Sequence, residues 1–163
     1  MVRVRPATLE DAAAILEIYR PIIEETVISF EFVVPTLDEM RERIAGILEG
    51  YPYFVAEDDA GEVVGYVYAT RWRARKAYDG TCEAALYIRE GQRGRGVGRR
   101  LMEELMPELA RRGFHQVIAG SSMPNPASQA ILESFGFEHV GTFPRVGRKF
   151  DRWVDVGFWQ RPV

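Results

Sequence analysis

Four glycines interleaved with arginines form the segment whose residue types point most directly to chemistry. Glycine occupies positions 91, 94, 96 and 98, and arginine occupies positions 93, 95, 99 and 100. The segment follows a strand-like run at 81–89 and precedes a helical pattern that contains Leu101, Leu105 and Leu109. At such a junction, backbone N–H groups and the N-terminus of a helix can converge on a phosphate. Residues 91–98, here called the glycine loop, are therefore predicted to bind an anion.

Two familiar phosphate loops do not fit the glycine loop. A Walker loop requires Gly-Lys followed by Ser or Thr, and the dinucleotide-binding loop requires G-x-G-x-x-G. The order Gly94-x-Gly96-x-Gly98 matches neither pattern. A glycine-rich turn without a ligand remains the alternative, although interleaved glycine carries an entropic cost unless the backbone has a task.

An acidic residue stands in the strand that leads into the glycine loop. Glu83 lies between Cys82 and Ala84 in a mainly apolar run. A carboxylate in such a strand must be paired, hydrated or functional. The structural alternative is a salt bridge to the basic cluster formed by Arg71, Arg73, Arg75 and Lys76.

The remaining periodicity predicts the elements that position these residues. Helices are expected from Thr8, with a kink or break at Pro21, from Thr36 to Gly50, from Leu101 to Gly113 and over 127–135. Strands are expected at 2–5, at 53–57 and 63–70 as a hairpin, at 81–89 and 115–119, and in two runs ending at Trp159. The pattern predicts one α/β domain over residues 1–163, with helices packed on a mixed sheet.

Composition excludes several classes of protein. The chain has 21 Lys and Arg against 24 Asp and Glu, a net charge of -3, so the basic excess typical of nucleic-acid binding is absent. Cys82, His115 and His139 provide too few ligands for a zinc cage, and the single cysteine cannot form an internal disulfide. No signal peptide or membrane-length apolar run is present, so a cytoplasmic protein without metal, membrane or nucleic acid is expected.

The motif Arg93-x-x-Gly96-x-Gly98, followed by Pro124-Asn125, Ser128 and Gly136-Phe137, resembles the GCN5-related N-acetyltransferase superfamily. The resemblance implies a single-domain fold with a central, mixed but mostly antiparallel sheet flanked by helices. It also implies that the loop amides hold the pyrophosphate of acetyl-CoA, while strand 81–89 pairs with the pantetheine through its main chain. The implied coenzyme-binding residues are Leu86, Tyr87, Ile88, Arg93, Gly94, Arg95, Gly96, Val97, Gly98, Arg99 and Asn125.

Within that superfamily, the chain resembles the phosphinothricin and methionine sulfone or sulfoximine acetyltransferases over nearly its whole length. The blocks that carry this likeness include Arg73-x-Arg75-x-Ala77-Tyr78-x-x-Thr81-x-Glu83, Gly147-x-Lys149 and Trp153-x-Asp155-Val156-x-Phe158. A small amino-acid-like substrate is implied, bound by Arg73, Ala74, Arg75, Glu83 and Ala85. Because desolvation raises a carboxyl pKa, Glu83 is the candidate base for the substrate ammonium, directly or through water.

Position 132 departs from the family pattern. Many superfamily members have tyrosine there, and the herbicide-detoxifying relatives have histidine, whereas this chain has Leu132. Leucine cannot protonate the coenzyme thiolate that leaves after acetyl transfer. The proton for this thiolate must then come from water, from the substrate or from another residue such as Tyr87.

Two other functions fit the same coenzyme loop: acetylation of a peptide or protein amine, and a non-catalytic acyl-CoA sensor. The paired arginines favour a free carboxylate over a peptide, and Leu132 gives the sensor some support. A homodimer is expected from the resemblance and from the apolar C-terminal segment around Phe158 and Trp159.

Overall fold

One seven-stranded sheet organises the computed structural model, which describes residues 1–163. The strands lie in the order β1-β2-β3-β4-β5-β7-β6, and every neighbouring pair is antiparallel except β4 and β5. The predicted mixed, mostly antiparallel sheet is therefore confirmed. The strands are β1 (Arg3–Pro6), β2 (Tyr53–Glu57), β3 (Val63–Arg71), β4 (Thr81–Ile88), β5 (Gln116–Ser122), β6 (Glu138–Lys149) and β7 (Arg152–Pro162).

Four helices flank the sheet: α1 (Ala12–Glu25), α2 (Leu37–Leu48), α3 (Val97–Arg111) and α4 (Pro126–Ser134). The predicted break at Pro21 is wrong, because α1 is a single helix through that residue. A proline in a helix loses one backbone hydrogen bond. The apolar face of α1 is buried on both sides of Pro21, by Ile18 and Tyr19 before it and Ile22 and Ile23 after it. This burial offsets the lost bond.

The start of α2 and the β2–β3 turn follow the predicted local chemistry. Thr36 Oγ1 accepts a hydrogen bond from Glu39 N at 3.1 Å, and the Glu39 carboxylate accepts one from Thr36 N at 2.9 Å, forming a capping box. In the hairpin turn, Asp58 accepts hydrogen bonds from the backbone of Ala60 and Glu62. The predicted start of a helix at Thr36 and the predicted hairpin are therefore both confirmed.

Each face of the sheet has its own apolar core. Helices α3 and α4 cover one face, whose core includes Cys82 and Ala84 of β4. Helices α1 and α2 cover the other, where Tyr87 packs at the edge of the core. Successive side chains of β4 alternate between these faces: the even-numbered residues face α3, and Glu83 and Tyr87 face α1 and α2.

The part of β7 around Phe158 and Trp159 does not present the apolar surface expected from the sequence. Trp159 is 1% exposed and belongs to the core under α3, so its expected place in an exposed interface is wrong. Phe158 is half-buried against the rings of Trp72 and Phe143. An apolar residue on a central strand is buried by the elements packed on that strand, whatever its distance from the chain terminus.

The pairing of β4 with β5 is short, and this determines where the site lies. Only Thr81, Cys82 and Glu83 of β4 pair with β5, opposite Gln116, Val117 and Ile118. Beyond Glu83 the two strands diverge, and the sheet opens into a V. No helix of the structure is long and apolar enough to span a membrane.

Truncating the core beneath α3 should destabilise the whole fold. Leu105 is completely buried in α3, so Leu105→Ala should lower the free energy of unfolding by about 2–5 kcal/mol. Its exposed neighbour on the same helix provides the control, and Glu104→Ala should change stability by less than about 0.5 kcal/mol. Urea denaturation followed by circular dichroism measures both, and equal losses would contradict this account of the core.

Candidate active site

The V between β4 and β5 opens into a channel of about 500 Å³. Its walls come from four places: β4, the glycine loop with the start of α3, the end of β5, and α4. Residues from these walls that line the channel include Ala84, Ala85, Leu86, Tyr87, Ile88, Gln92, Arg93, Gly94, Gly96, Val97, Gly98, Arg99, Ala119, Gly120, Ser121, Ser122, Asn125, Ile131 and Leu132. Ile22 of α1 and Ile28 close the side that faces α1 and α2.

The channel wall formed by β4 is largely main chain. Arg89 N donates to Val64 O at 2.9 Å, so residues 64 and 89 occupy a hydrogen-bonding position of the β3–β4 ladder. Because backbone groups alternate in direction along a strand, Tyr87 turns its N–H and C=O toward β3. Leu86 and Ile88 turn theirs toward the channel, where β5 no longer pairs with them. These groups can hydrogen-bond an extended, amide-containing ligand as a neighbouring strand would.

The glycine loop directs unpaired amides at the mouth of the channel. Gly91, Gly94 and Gly96 have φ values of +79°, +75° and +80°, a region that only glycine enters without strain. Gly96 is the N-cap of α3, no side chain caps that helix, and the first intrahelical bond runs from Arg100 N to Gly96 O. The N–H groups at the start of α3 are therefore free, and the positive end of the helix dipole favours an anion there.

Gly98 is glycine for a different reason. A Cβ atom at this position would lie 2.7 Å from Ile131 Cδ1 and 3.3 Å from Leu86 Cδ2. Its absence lets α3 approach both β4 and α4, which narrows the channel at this level. Asn125, at the start of α4, lines the opposite wall while its Oδ1 accepts a hydrogen bond from Ser128 N at 3.2 Å.

The arginines of the loop differ in where they lie. Arg93 and Arg99 line the channel, and Arg99 also forms an ion pair with Glu103 at 3.1 Å. Arg95 lies outside the channel wall and donates to Gln92 Oε1 at 3.3 Å. The structure therefore brings together ten of the eleven residues expected to bind coenzyme, all except Arg95.

Glu83 occupies the vertex of the V. It is the last β4 residue paired with β5, opposite Ile118, and it lies on the face toward α1 and α2. Its carboxylate makes no hydrogen bond or ion pair with another side chain, so the salt bridge considered as its structural role is not formed. Burial raises the pKa of Glu83 above its ordinary value of 4.5, and the positive charge of Arg73 partly opposes this shift.

The predicted substrate segment lies on the surface beyond β3. Arg73, Ala74 and Arg75 are exposed, and none of the three lines the channel. The Arg73 guanidinium lies 4.6 Å above the ring of Trp72, whose ring contacts Phe158 of β7 edge-on at 5.8 Å. Arg75 forms no ion pair, so its guanidinium is free to bind an anion. Ala85, the remaining predicted substrate residue, lines the channel.

Leu132 and Tyr87 bear on how a thiolate could leave. Leu132 is buried, lines the channel from α4 and has no proton to donate. Tyr87 lies on the other face of the sheet, with its ring 5.3 Å from those of Tyr19 and Tyr66. Burial raises the pKa of the Tyr87 phenol, which makes it a weaker acid than an ordinary tyrosine.

Sequence reasoning missed the wall contributed by β5. Ala119, Gly120, Ser121 and Ser122 are small residues, and nothing in their pattern separates a channel wall from a packed strand. Their small side chains leave space between β5 and β4. A run of small residues is therefore a signal of a channel wall only once the pairing of β5 with β4 is known. No three side chains of His, Cys, Asp or Glu lie together in an arrangement that could hold a metal ion.

The unpaired end of β4 suits an extended ligand with amide groups, and the free N-terminus of α3 suits a phosphate. Together they indicate a protein that binds an extended, phosphorylated coenzyme between two strands. The family pattern described as "Acetyltransferase (GNAT) domain" matches residues 4–157, and the chain belongs to that family.

Named relatives cover almost the whole chain. It is 38% identical to a phosphinothricin N-acetyltransferase of Streptomyces coelicolor, over 99% of this chain and 96% of that one. It is 37% identical to an L-methionine sulfoximine/L-methionine sulfone acetyltransferase of Pseudomonas paraeruginosa, over 96% and 92% of the two chains. The structure of a phosphinothricin acetyltransferase from Sinorhizobium meliloti in complex with AcCoA matches with a TM-score of 0.96 and 38% identity, over 99% and 88%.

A negative charge in the glycine loop should prevent coenzyme binding. Gly96→Asp places a carboxylate beside the anion site and forces a left-handed φ on a residue with a side chain. We expect the affinity for acetyl-CoA, measured by calorimetry, to fall by at least about 100-fold, the order of a charge repulsion of a few kcal/mol. Gly61→Asp is the control, because Gly61, in the distant β2–β3 turn, has a φ of +79°, close to the +80° of Gly96. Unchanged affinity in Gly96→Asp would contradict the assignment.

Proposed function

We propose that this protein transfers the acetyl group of acetyl-CoA to the amino group of a small amino-acid analogue, such as phosphinothricin, methionine sulfone or methionine sulfoximine. The observation that carries the proposal is the half-buried Glu83 carboxylate, which has no protein partner and lies where β4 and β5 stop pairing, beside a channel with free main-chain groups. The named relatives, similar over the full chain, support the class of donor and acceptor.

The residues present suit acetyl-CoA. Its pyrophosphate matches the free amides of Val97 and Gly98 and the guanidinium of Arg93. The amides of its pantetheine arm match the unpaired main chain of Leu86 and Ile88. When bound, acetyl-CoA supplies an acetyl thioester, the activated acyl group that an amine can accept.

Glu83 supplies the base for this reaction. An amino group attacks only as the neutral amine, so its ammonium must first lose a proton. A carboxylate whose pKa is raised by burial takes that proton more readily than an exposed one, directly or through a water molecule. The N–H groups of β4 at the channel wall would polarise the thioester oxygen beside it.

The exposed arginines select the acceptor. Each guanidinium presents a planar fork of donors that suits a carboxylate, a phosphinate or a sulfone oxygen. Arg73 acts on the Glu83 pKa, so its charge lies near the base. A free amino acid analogue carries both an amine and such an anionic group, which would place the amine toward Glu83 and the anion toward Arg73 and Arg75.

A panel of acceptors tests the proposed function. Release of free thiol from acetyl-CoA is followed with phosphinothricin, methionine sulfone, methionine sulfoximine, the unmodified amino acids and short peptides. Turnover with the free analogues and little with peptides is expected. Preference for peptides would favour a protein N-acetyltransferase, and binding of acetyl-CoA with no thiol release from any acceptor would favour a sensor.

Glu83→Gln should lower turnover about 100- to 10,000-fold with little change in the Kd for acetyl-CoA, because the amide keeps the shape and loses only the base. Glu83 works when deprotonated, so wild-type turnover should fall as the pH drops through its raised pKa, whereas the variant should lack this acidic limb. Arg73→Met removes the charge that lowers the pKa and should move the limb to higher pH. The measurement is kcat against pH at saturating acetyl-CoA. A limb that persists in Glu83→Gln at near-normal rate would remove Glu83 from the role of base.

A homodimer is the second part of the proposal. The β6–β7 ribbon lies at the edge of the sheet and exposes Val140, Phe143, Val146, Phe150 and Trp153, each to more than half of its surface. An apolar edge strand of this kind is covered in stable proteins, and a second copy of the chain is the simplest cover.

Light scattering at micromolar concentration should therefore give twice the mass of one chain. Trp153→Glu places a charge on the ribbon and should yield monomers, since burying an unpaired carboxylate in an interface is costly. Leu48→Glu, at an exposed apolar site on α2, should leave the mass unchanged. A monomeric mass for the unmodified protein would refute the dimer.

A further inference from the structure

Lys149, at the end of β6, is buried although it carries a charge. It is 2% exposed, and it forms no ion pair with a carboxylate. Its Nζ donates to Ile23 O at 2.6 Å and to Ser29 O at 2.8 Å. Burial lowers the pKa of Lys149, an effect that Glu31 partly opposes. A buried ammonium is costly, and its partners are these two carbonyls together with the rings of Phe150 and Phe32, whose centroids lie 5.1 and 6.0 Å from Nζ.

Both partners belong to the region where α1 ends. Ile23 O is one of the last four carbonyls of α1, which have no acceptor role within the helix, and the negative end of the helix dipole favours a cation there. Ser29 O lies in the segment from Thr26 to Glu31, here called the 26–31 segment. Lys149 therefore joins β6 to this segment across 120 residues of sequence.

The 26–31 segment is held at further points. Ser29 Oγ lies 2.8 Å from the Tyr19 hydroxyl and accepts a hydrogen bond from Glu31 N at 3.1 Å. The Glu31 carboxylate accepts two hydrogen bonds from the Arg43 guanidinium, at 2.7 and 3.0 Å. Next to Ser29, Ile28 donates its N–H to Thr26 Oγ1 at 3.1 Å and lines the channel on the face of the sheet that carries Glu83. The position of the segment thus determines the shape of the channel on that face.

The same strand that carries Lys149 also accommodates the segment sterically. A Cβ atom at Gly147 would lie 2.3 Å from Cε2 of Phe30, so only glycine leaves room for that ring. Gly147 and Lys149 are two residues apart on β6 and face the same way. One holds the segment by hydrogen bonds, and the other lets its aromatic side chain pack against the strand.

We propose that Lys149 is a positioning residue for the acceptor: by holding the backbone of the 26–31 segment, it sets the position of Ile28 in the channel wall on the face that carries Glu83. This inference rests on the proposed function. The hydrogen bonds of Lys149 reach only α1 and the 26–31 segment, and none reaches the glycine loop, α3 or α4. Loss of Lys149 should therefore act on the acceptor and leave the coenzyme unaffected.

Three variants test the role of Lys149. Lys149→Met keeps an unbranched stem and removes the donors, and Lys149→Arg restores a charged donor. Arg148→Met is the matched control, because Arg148 is the neighbouring cation on β6 and is exposed, with contacts only to Asp151 at 3.4 Å and to the Trp153 ring at 5.8 Å, both outside the 26–31 segment. The acceptor is whichever amine the unmodified enzyme turns over best, and the readouts are its KM, kcat and the Kd for acetyl-CoA.

Lys149→Met should raise the acceptor KM by at least about 10-fold, since a displacement near 1 Å can cost up to 100-fold in rate. The Kd for acetyl-CoA should change by less than about twofold. Lys149→Arg should recover part of the lost KM, and Arg148→Met should behave as the unmodified enzyme. An unchanged acceptor KM in folded Lys149→Met, or an equal loss of coenzyme affinity, would overturn the proposal.

Two further measurements keep the outcome decisive. If Lys149→Met does not fold, Gly147→Ala provides a second variant, because the added methyl group displaces Phe30 of the same segment. Gly147→Ala should show the same selective rise in acceptor KM. An unchanged acceptor KM in Gly147→Ala would overturn the proposal. Hydrogen–deuterium exchange of residues 26–31 in the coenzyme-bound protein needs no acceptor. Faster exchange in Lys149→Met than in Arg148→Met is expected, and equal exchange overturns the positioning role. Absence of turnover by the unmodified enzyme would instead count against the proposed function.

Discussion

The structure depends on one constraint, the end of β4–β5 pairing after three residue pairs. A strand backbone without a partner carries N–H and C=O groups that need hydrogen bonds. Here those groups border a channel, and the helix that follows the strand begins at the channel mouth with its own amides free. The divergence of two parallel strands thus produces, in one step, an extended surface for amides, a pocket for an anion and a vertex at which Glu83 is desolvated.

The two faces of the sheet divide the chemistry around this opening. On the side of α3 and α4, glycine and small residues allow close approach, and the contacts offered are mostly main chain. On the side of α1 and α2, the contacts are side chains, among them Glu83, and a loop held in place by long-range hydrogen bonds. A coenzyme common to many enzymes and an acceptor specific to one can therefore be bound by separate parts of the same fold.

The parts of the site that could be predicted from the sequence are those specified locally. The spacing of the glycines in the glycine loop is typical of a turn that precedes a helix. Glu83 can be recognised because it is the acidic residue within a mainly apolar strand. Arg95 was placed with its neighbours because a pattern does not show which way a side chain turns. The β5 wall and the buried contacts of Lys149 could not be predicted from the sequence, because each depends on a partner that the fold brings in from far along the chain. For Lys149 these partners are backbone carbonyls, which no residue type marks.

Under the proposed function, recognition of the coenzyme through the main chain of β4 also affects how the protein can change during evolution. The backbone groups of Leu86 and Ile88 that face the channel would be the same for any non-proline residue, so selection on these side chains concerns packing under α3. Coenzyme use is thereby protected against most point substitutions in the strand that provides it. On the opposite face, residues other than Glu83 and the anchors of the 26–31 segment can then diversify, and new acceptor preferences can arise while coenzyme binding is retained.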